Sequence, residues 1–318
     1  MNNFHTTLPN RTEGAFITDG GLETFLIFNE NIELPYFASF PLLSADGTRV
    51  TLAKYYKTYA DLAIKNDLGF IFESPTWRAN PDWASQLGYD KSALANINSD
   101  AIAFMKSIRN EYANPANFLV SGCIGPRGDG YFISQKMTSE QADSYHNEQI
   151  EVFSQSDADL INAMTMTYPE EAIGITLSAK RNNIPVVISF TTETDGKLPN
   201  GMSIEQAIKT VDQATESGPI YYAINCSHPS HFATLLNTNQ SWAKRIQCIR
   251  SNASCLSHEE LDQCDHLEEG DPVDFGLQHQ HLAHSLSSLN VFGGCCGTST
   301  KHIEQLVKSC RNLFVQPQ

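Results

Sequence analysis

Short β-branched or aromatic runs alternate with longer segments of helical period along the whole chain. That alternation is the pattern of a parallel sheet whose strands are joined by helices. Eight such runs are read as strands: Ala15–Leu22, Gly69–Ser74, Phe118–Gly122, Asp159–Met164, Pro185–Thr191, Ile220–Asn225, Arg245–Asn252 and Leu289–Gly293. Between them apolar residues recur at helical spacing, as in Leu52, Tyr55, Tyr56, Tyr59, Leu62 and Ala63, or Ile303, Leu306, Val307 and Cys310. Both stripes suit helices packed on a sheet. Eight strand–helix units without a Pro/Gly/Ser-rich linker, a low-complexity tract or a clear repeat predict an α/β protein, a single (β/α)8 TIM barrel over residues 1–318. A doubly wound nucleotide-binding sheet is disfavoured, because Asp19-Gly20-Gly21 after the first run lacks the three-glycine spacing of a dinucleotide loop.

Charge narrows the partners. The chain has 36 acidic and 21 basic residues, a formal charge of −15 spread along its length. This is the wrong sign for gripping nucleic acid or an anionic membrane surface. No apolar run approaches the ~20 residues that cross a bilayer, and Met1–Pro9 lacks the basic start and apolar stretch of a secretory leader. A cytoplasmic protein is expected. Its eight cysteines have no dense, regular spacing, and two of them, Cys295 and Cys296, are adjacent. Metal binding or reduced thiols are expected rather than disulfide bridges.

A barrel of this kind carries its active site at the carboxyl ends of its strands. The residues there include Asp19-Gly20-Gly21 after the first strand, Glu73 at the second, Cys123 near the third, Glu193 near the fifth, Cys226 at the sixth and Asn252 at the seventh. Gly293-Gly294-Cys295-Cys296-Gly297 closes the eighth. Two strand ends therefore offer three cysteines. A catalytic zinc commonly takes three protein ligands and keeps one open position, and thiolates suit its borderline-soft character. The flanking glycines would let the chain turn so that both sulfurs of the adjacent pair face one metal, which the alternating side chains of a regular strand would not do. Free cysteine is also among the most buried residue types, so three inert core thiols are the competing reading.

Four segments stand in the order and approximate positions of the homocysteine S-methyltransferase family: Thr18-Asp19-Gly20-Gly21-Leu22-Glu23-Thr24, Ile124-Gly125-Pro126, Ile224-Asn225-Cys226 and Gly293-Gly294-Cys295-Cys296-Gly297-Thr298. The chain resembles that family over nearly its full length. The resemblance implies a zinc-dependent (β/α)8 S-methyltransferase of methionine biosynthesis, with Zn2+ on Cys226, Cys295 and Cys296. It further implies a small-molecule thiol acceptor such as homocysteine and an onium methyl donor of the S-methylmethionine, S-adenosylmethionine or betaine type. Similar folate-dependent barrels carry extra pterin and cobalamin modules, for which this chain has no residues left over. The chemistry is direct: a thiol near pKa ~8.5 is mostly protonated at neutral pH, and coordination deprotonates it. No catalytic residue beyond the zinc site is then expected. Hydrolysis on a barrel would more naturally use histidine and carboxylate ligands around an activated water.

One departure limits the resemblance. Where the family shows an acid after the fourth strand, associated with the amino group of the substrate, this chain has Met164. Glu73 is expected to supply the missing charge from another side of the mouth. Asp19, Glu23 and Asn225 are further candidate substrate-binding residues, and Tyr131, Trp77 and Phe190 are weaker aromatic ones. With Met164 in place, methylation of a different thiol and a non-catalytic zinc-binding relative stand as alternatives. A second cluster, Cys255, His258, Cys264 and His266, matches no common zinc spacing and is expected to be a solvated loop. His279, His281 and His284 are read as lying on a helix, and Cys123, Cys248 and Cys310 as packed thiols. Nothing in the chain sets an oligomeric state.

Overall fold

The computed structural model describes residues 7–113, 117–236 and 240–314, so the leader segment Met1–Pro9 lies largely outside the described residues. Eight parallel strands close a barrel in sequence order. They are β1 (Phe16–Ile17), β2 (Gly69–Glu73), β3 (Phe118–Ile124), β4 (Leu160–Met166), β5 (Val186–Phe190), β6 (Tyr221–Asn225), β7 (Ile246–Ser251) and β8 (Val291–Gly294). The helices begin with α1 (Leu22–Phe28), α2 (Asp46–Lys65), α3 (Pro81–Gln86) and α4 (Lys91–Arg109). They continue with α5 (Ser139–Gln155), α6 (Pro169–Arg181), α7 (Ile204–Thr215), α8 (Pro229–Leu236), α9 (His258–Asp262), α10 (Pro272–Ser285) and α11 (Thr300–Phe314). No helix among the described residues is long and apolar enough to cross a membrane.

All eight expected strands are present. β1 is much shorter than the Ala15–Leu22 run, because Leu22 already opens α1 and Thr18–Gly21 form the turn between. Even so, its two residues close the barrel, pairing Phe16 with Gly69 and with Val291. Both helical stripes face inward: Leu52, Tyr55, Tyr56, Tyr59, Leu62 and Ala63 are buried on α2, as are Ile303, Leu306, Val307 and Cys310 on α11.

Strand side chains alternate between two packed regions. Outward residues such as Phe70, Phe72, Val120, Ile188, Ile224 and Phe292 pack with the helices. Inward residues Phe16, Ile71, Leu119, Leu160, Val187, Ala223, Cys248 and Val291 fill the lower barrel. Two residues further along the strands, the inward face turns polar: Ile71 is followed by Glu73, Leu119 by Ser121, Leu160 by Asn162, Val187 by Ser189, Ala223 by Asn225 and Cys248 by Arg250, all of them buried. This change from hydrocarbon to polar layer marks the floor of the site.

Candidate functional site

Above that polar layer lies a cavity of about 600 Å3, lined by residues from several strand ends, among them Asp19, Glu23, Glu73, Met164, Asn225, Arg250, Cys226, Cys295 and Cys296. The sulfurs of the three cysteines all lie within 4.8 Å of one another. Backbone geometry at two strand ends produces this convergence. Cys226 leaves β6 in the left-handed region, φ 52°, a conformation that costs a non-glycine residue about 1–3 kcal/mol. The turn after β8 is tied to β7 and its extension by Cys295 N–H to the Ser251 carbonyl (2.8 Å) and Ala253 N–H to the Cys296 carbonyl (3.0 Å). It ends at Gly297, φ 77°, where a side chain would be strained. At Gly21, an added Cβ would stand 2.6 Å from the Cys295 carbonyl oxygen, so the first strand's motif must be bare for the eighth strand's turn to pass.

The sulfurs of Cys226 and Cys295 are joined as a disulfide, with Cα atoms 5.3 Å apart, while Cys296 is free. This departs from the expectation that bridges are absent, and the reason is proximity: thiols gathered closely enough to share a metal are close enough to oxidise. The disulfide and a three-thiolate centre are two states of the same residues, differing by two electrons. In the reduced state the set fits zinc, with three soft ligands and room on the cavity side for a fourth. Burial first, and then the Glu23 carboxylate, pushes the Cys296 thiol up to about 11, so ionising it at neutral pH calls for a cation. Two neighbours support the triad from outside. The Tyr131 hydroxyl lies 3.9 Å from Cys296 Sγ, and His258, stacked on the Tyr131 ring at 3.9 Å, donates from Nε2 to the Cys226 carbonyl at 2.6 Å.

The carboxylates meet an arginine that sequence reading missed. Arg250 Nη2 donates to Asp19 Oδ1 at 2.7 Å, and Nη1 stands 3.6 Å from Glu73 Oε1. Burial opposes the Arg250 charge, but Asp19 and Glu73 outweigh it and hold its pKa above the ordinary value. Burial likewise lifts Asp19 and Glu73 above the usual carboxylate range, and Arg250 offsets this in part. A signal was available: an arginine among Ile246, Cys248 and Ile249 in a barrel strand has to find a buried anion.

The remaining candidates divide by what their polar atoms already do. Both Asp19 oxygens are engaged, Oδ2 accepting from the Tyr55 hydroxyl at 3.2 Å. Glu23 Oε1 accepts from Ser39 Oγ at 2.8 Å. Glu73 Oε1 accepts from Asn162 at 2.9 Å, but Oε2 is buried with no hydrogen-bond partner. Asn225 lines the cavity, yet its Oδ1 accepts from Thr165 N–H (2.9 Å) and Ser189 Oγ (2.6 Å) and its Nδ2 donates to Thr165 Oγ1 (2.9 Å). Asn225 thus pins a bulge in β4, where Thr165 is left-handed (φ 62°) and the register shifts between Ala163 and Met166. That bulge carries Met164 on the cavity wall.

Of the aromatic candidates, Trp77 and Tyr131 line the cavity, whereas Phe190 packs outside the barrel against Tyr222. Cys255, His258, Cys264 and His266 do not gather around a point; among the described residues the triad is the one cluster of metal-type ligands. His279, His281 and His284 lie on α10, His279 fully buried and pushed down to about 4 by that burial. Cys248 and Cys310 are packed thiols, and Cys123, also buried, borders the cavity.

A closed (β/α)8 barrel with a cysteine triad shared between β6 and β8 defines the structural class. The family model for homocysteine S-methyltransferase matches residues 16–310, and the chain belongs to that family. It is 23% identical over 210 residues to homocysteine S-methyltransferase 3 of Arabidopsis thaliana, covering 62% of this chain and 59% of that protein. It is 24% identical over 218 residues to betaine–homocysteine S-methyltransferase 1 of Rattus norvegicus, covering 63% and 51%. The match thus spans between half and three-fifths of those relatives. Among solved structures, the homocysteine methyltransferase MmuM of Escherichia coli superposes with a TM-score of 0.72 in its oxidized form, at 18% identity, and 0.70 in its metallated form, at 15%. Both superpositions cover 96% of this chain and 99% of MmuM, and they establish a shared fold.

Proposed function

We propose that the protein, in its reduced form, holds one zinc ion on Cys226, Cys295 and Cys296 and transfers a methyl group from a small onium donor to a thiol, giving methionine when the acceptor is homocysteine. The observation that carries this reading is the convergence of three sulfurs on a cavity whose wall also bears a carboxylate oxygen, Glu73 Oε2, without a partner. Zinc supplies acidity to a coordinated thiol, leaving the sulfur nucleophilic at neutral pH. The protein's own residues then have three tasks. Glu73 accepts the acceptor's ammonium group, in place of the acid that Met164 replaces. Asp19, held by Arg250 and Tyr55, keeps the polar floor rigid. Tyr131 and Trp77 present aromatic faces toward the donor's positive charge, a contact worth ~0.5–2 kcal/mol.

In the transfer a C–S bond forms as the donor's bond from carbon to its onium atom breaks. The bond pair leaves with the neutral donor product, and the acceptor proton has already been lost on coordination. A reducing, cytoplasmic setting suits this chemistry, because the disulfide form removes two of the three ligands.

The test is a panel of onium donors against thiol acceptors, with mass detection of the thioether and metal analysis of reduced protein. About one zinc per chain and thioether formation are expected, and Cys296→Ser should abolish both. Zinc binding with no transfer across the panel would instead favour the second reading, a binding relative, to which Met164 at the acceptor wall gives its support.

A further inference from the structure

A larger cavity, about 1150 Å3, lies outside the first and shares Thr24, Phe37, Trp77, Tyr131 and Cys296 with it. Arg78 lines the outer cavity and not the inner one, whereas Asp19, Glu73 and Arg250 line the inner one alone. The Arg78 side chain is 6% exposed. Its guanidinium lies between two indoles, 4.1 Å from the ring centroids of Trp77 and Trp83. Stacking on both faces leaves the in-plane N–H groups as the means of binding a partner. Nη1 donates to the Gly128 carbonyl at 2.8 Å. Nη2 stands 3.6 Å from the half-exposed Asp129 carboxylate, beyond hydrogen-bond reach. Nε has no partner, and neither does the buried Nε1 of the adjacent Trp77.

Buried donors left without acceptors are costly, at about 1–3 kcal/mol each, and more when charged. Burial also pulls the Arg78 pKa below its ordinary value, with Asp129 offsetting part of this. The same cavity carries opposite charge elsewhere: Asp262 and Glu268 line it, together with the rings of Phe37 and Tyr131. A cationic edge and a set of acids and aromatic faces in one chamber match a ligand with separated charges.

We propose that the Nε–Nη2 edge of Arg78, assisted by Trp77 Nε1, seats a carboxylate of the methyl donor, so that the outer chamber selects onium compounds bearing a carboxylate over those without one. This rests on the methyl-transfer reading for the identity of the ligand, but its test needs no transfer. Calorimetric binding to the full chain is compared for glycine betaine and its amide, and for S-methylmethionine and its amide, pairs that differ in the carboxylate charge.

The acids are expected to bind at least about tenfold tighter, the range of one charge-assisted hydrogen-bonded contact. Arg78→Met should reduce the preference to within about twofold. Because that variant removes a stacked side chain, Asp129→Asn serves as a second probe on an exposed residue: losing the competing carboxylate should tighten acid binding severalfold. Equal binding of acid and amide, no binding of either acid at millimolar concentration, survival of the preference in Arg78→Met, or weaker acid binding in Asp129→Asn would each overturn the proposal. Acid-selective binding without transfer to any thiol would leave the Arg78 seat standing and the methyl-transfer reading fallen. Equal transfer from acid and amide would do the reverse.

Discussion

Arg250 and Glu73 show how much of the site depends on single charges. Arg250 is the cation that two buried carboxylates share, so Arg250→Met leaves Asp19 and Glu73 without it in a desolvated floor. A loss of about 3–5 kcal/mol is expected, as for breaking a buried ion pair from one side, read as a lower midpoint in urea and a fall in Tm on the order of 5 °C. Glu73→Gln should leave the fold intact and act on the acceptor. A charge-assisted hydrogen bond of about 1.5–3 kcal/mol corresponds to a roughly 10- to 150-fold rise in KM for homocysteine. An acceptor thiol lacking the amino group should show little change, and equal effects on both acceptors would remove Glu73 from amine recognition. The candidacy of Glu73 was legible in sequence from its place at a strand end. Its bare oxygen was not, because which of two carboxylate oxygens finds a partner depends on Asn162 and Arg250, contributed by other strands.

At the level of elements, the sheet was far more legible than the irregularities that make the site. All eight strands followed from β-branched runs, since each buries one face on helices and the other in the barrel. The length of β1 did not follow, because Thr18-Asp19-Gly20-Gly21 continues the apolar run in composition while its backbone turns into α1. Nor did the bulge in β4, whose Thr165 takes a conformation no residue pattern announces and is held from β6 by Asn225. Asn225 was expected to touch substrate, and its amide is instead engaged in shaping the wall beside Met164. Asn225→Ala should therefore cost about 2–4 kcal/mol, from lost hydrogen bonds and an unpaired Thr165 N–H, measured by equilibrium denaturation. Any catalytic loss should come with that destabilisation, whereas an unchanged stability would refute the pinning role.

Across the whole molecule the triad joins β6 to β8, so a metal held there would be a cross-link between elements as well as a reagent. Reduced protein is expected to gain thermal stability as zinc is added, by about 2.7 kcal/mol at a hundredfold excess over Kd, and the disulfide form should not respond. Scanning calorimetry of the two forms side by side gives the comparison. The triad itself was visible in sequence as cysteines at two strand ends, but its oxidised state was not, because a spacing of residues says nothing about two electrons. Closure of the barrel also has an order in time. Cys295 and Cys296 follow the start of the last strand, Val291, whose pairing with Phe16 joins the two ends of the sheet. A chain still emerging from the ribosome, with residues 291–318 yet to appear, possesses one of the three thiols, so the centre is among the last features of the protein to come into being.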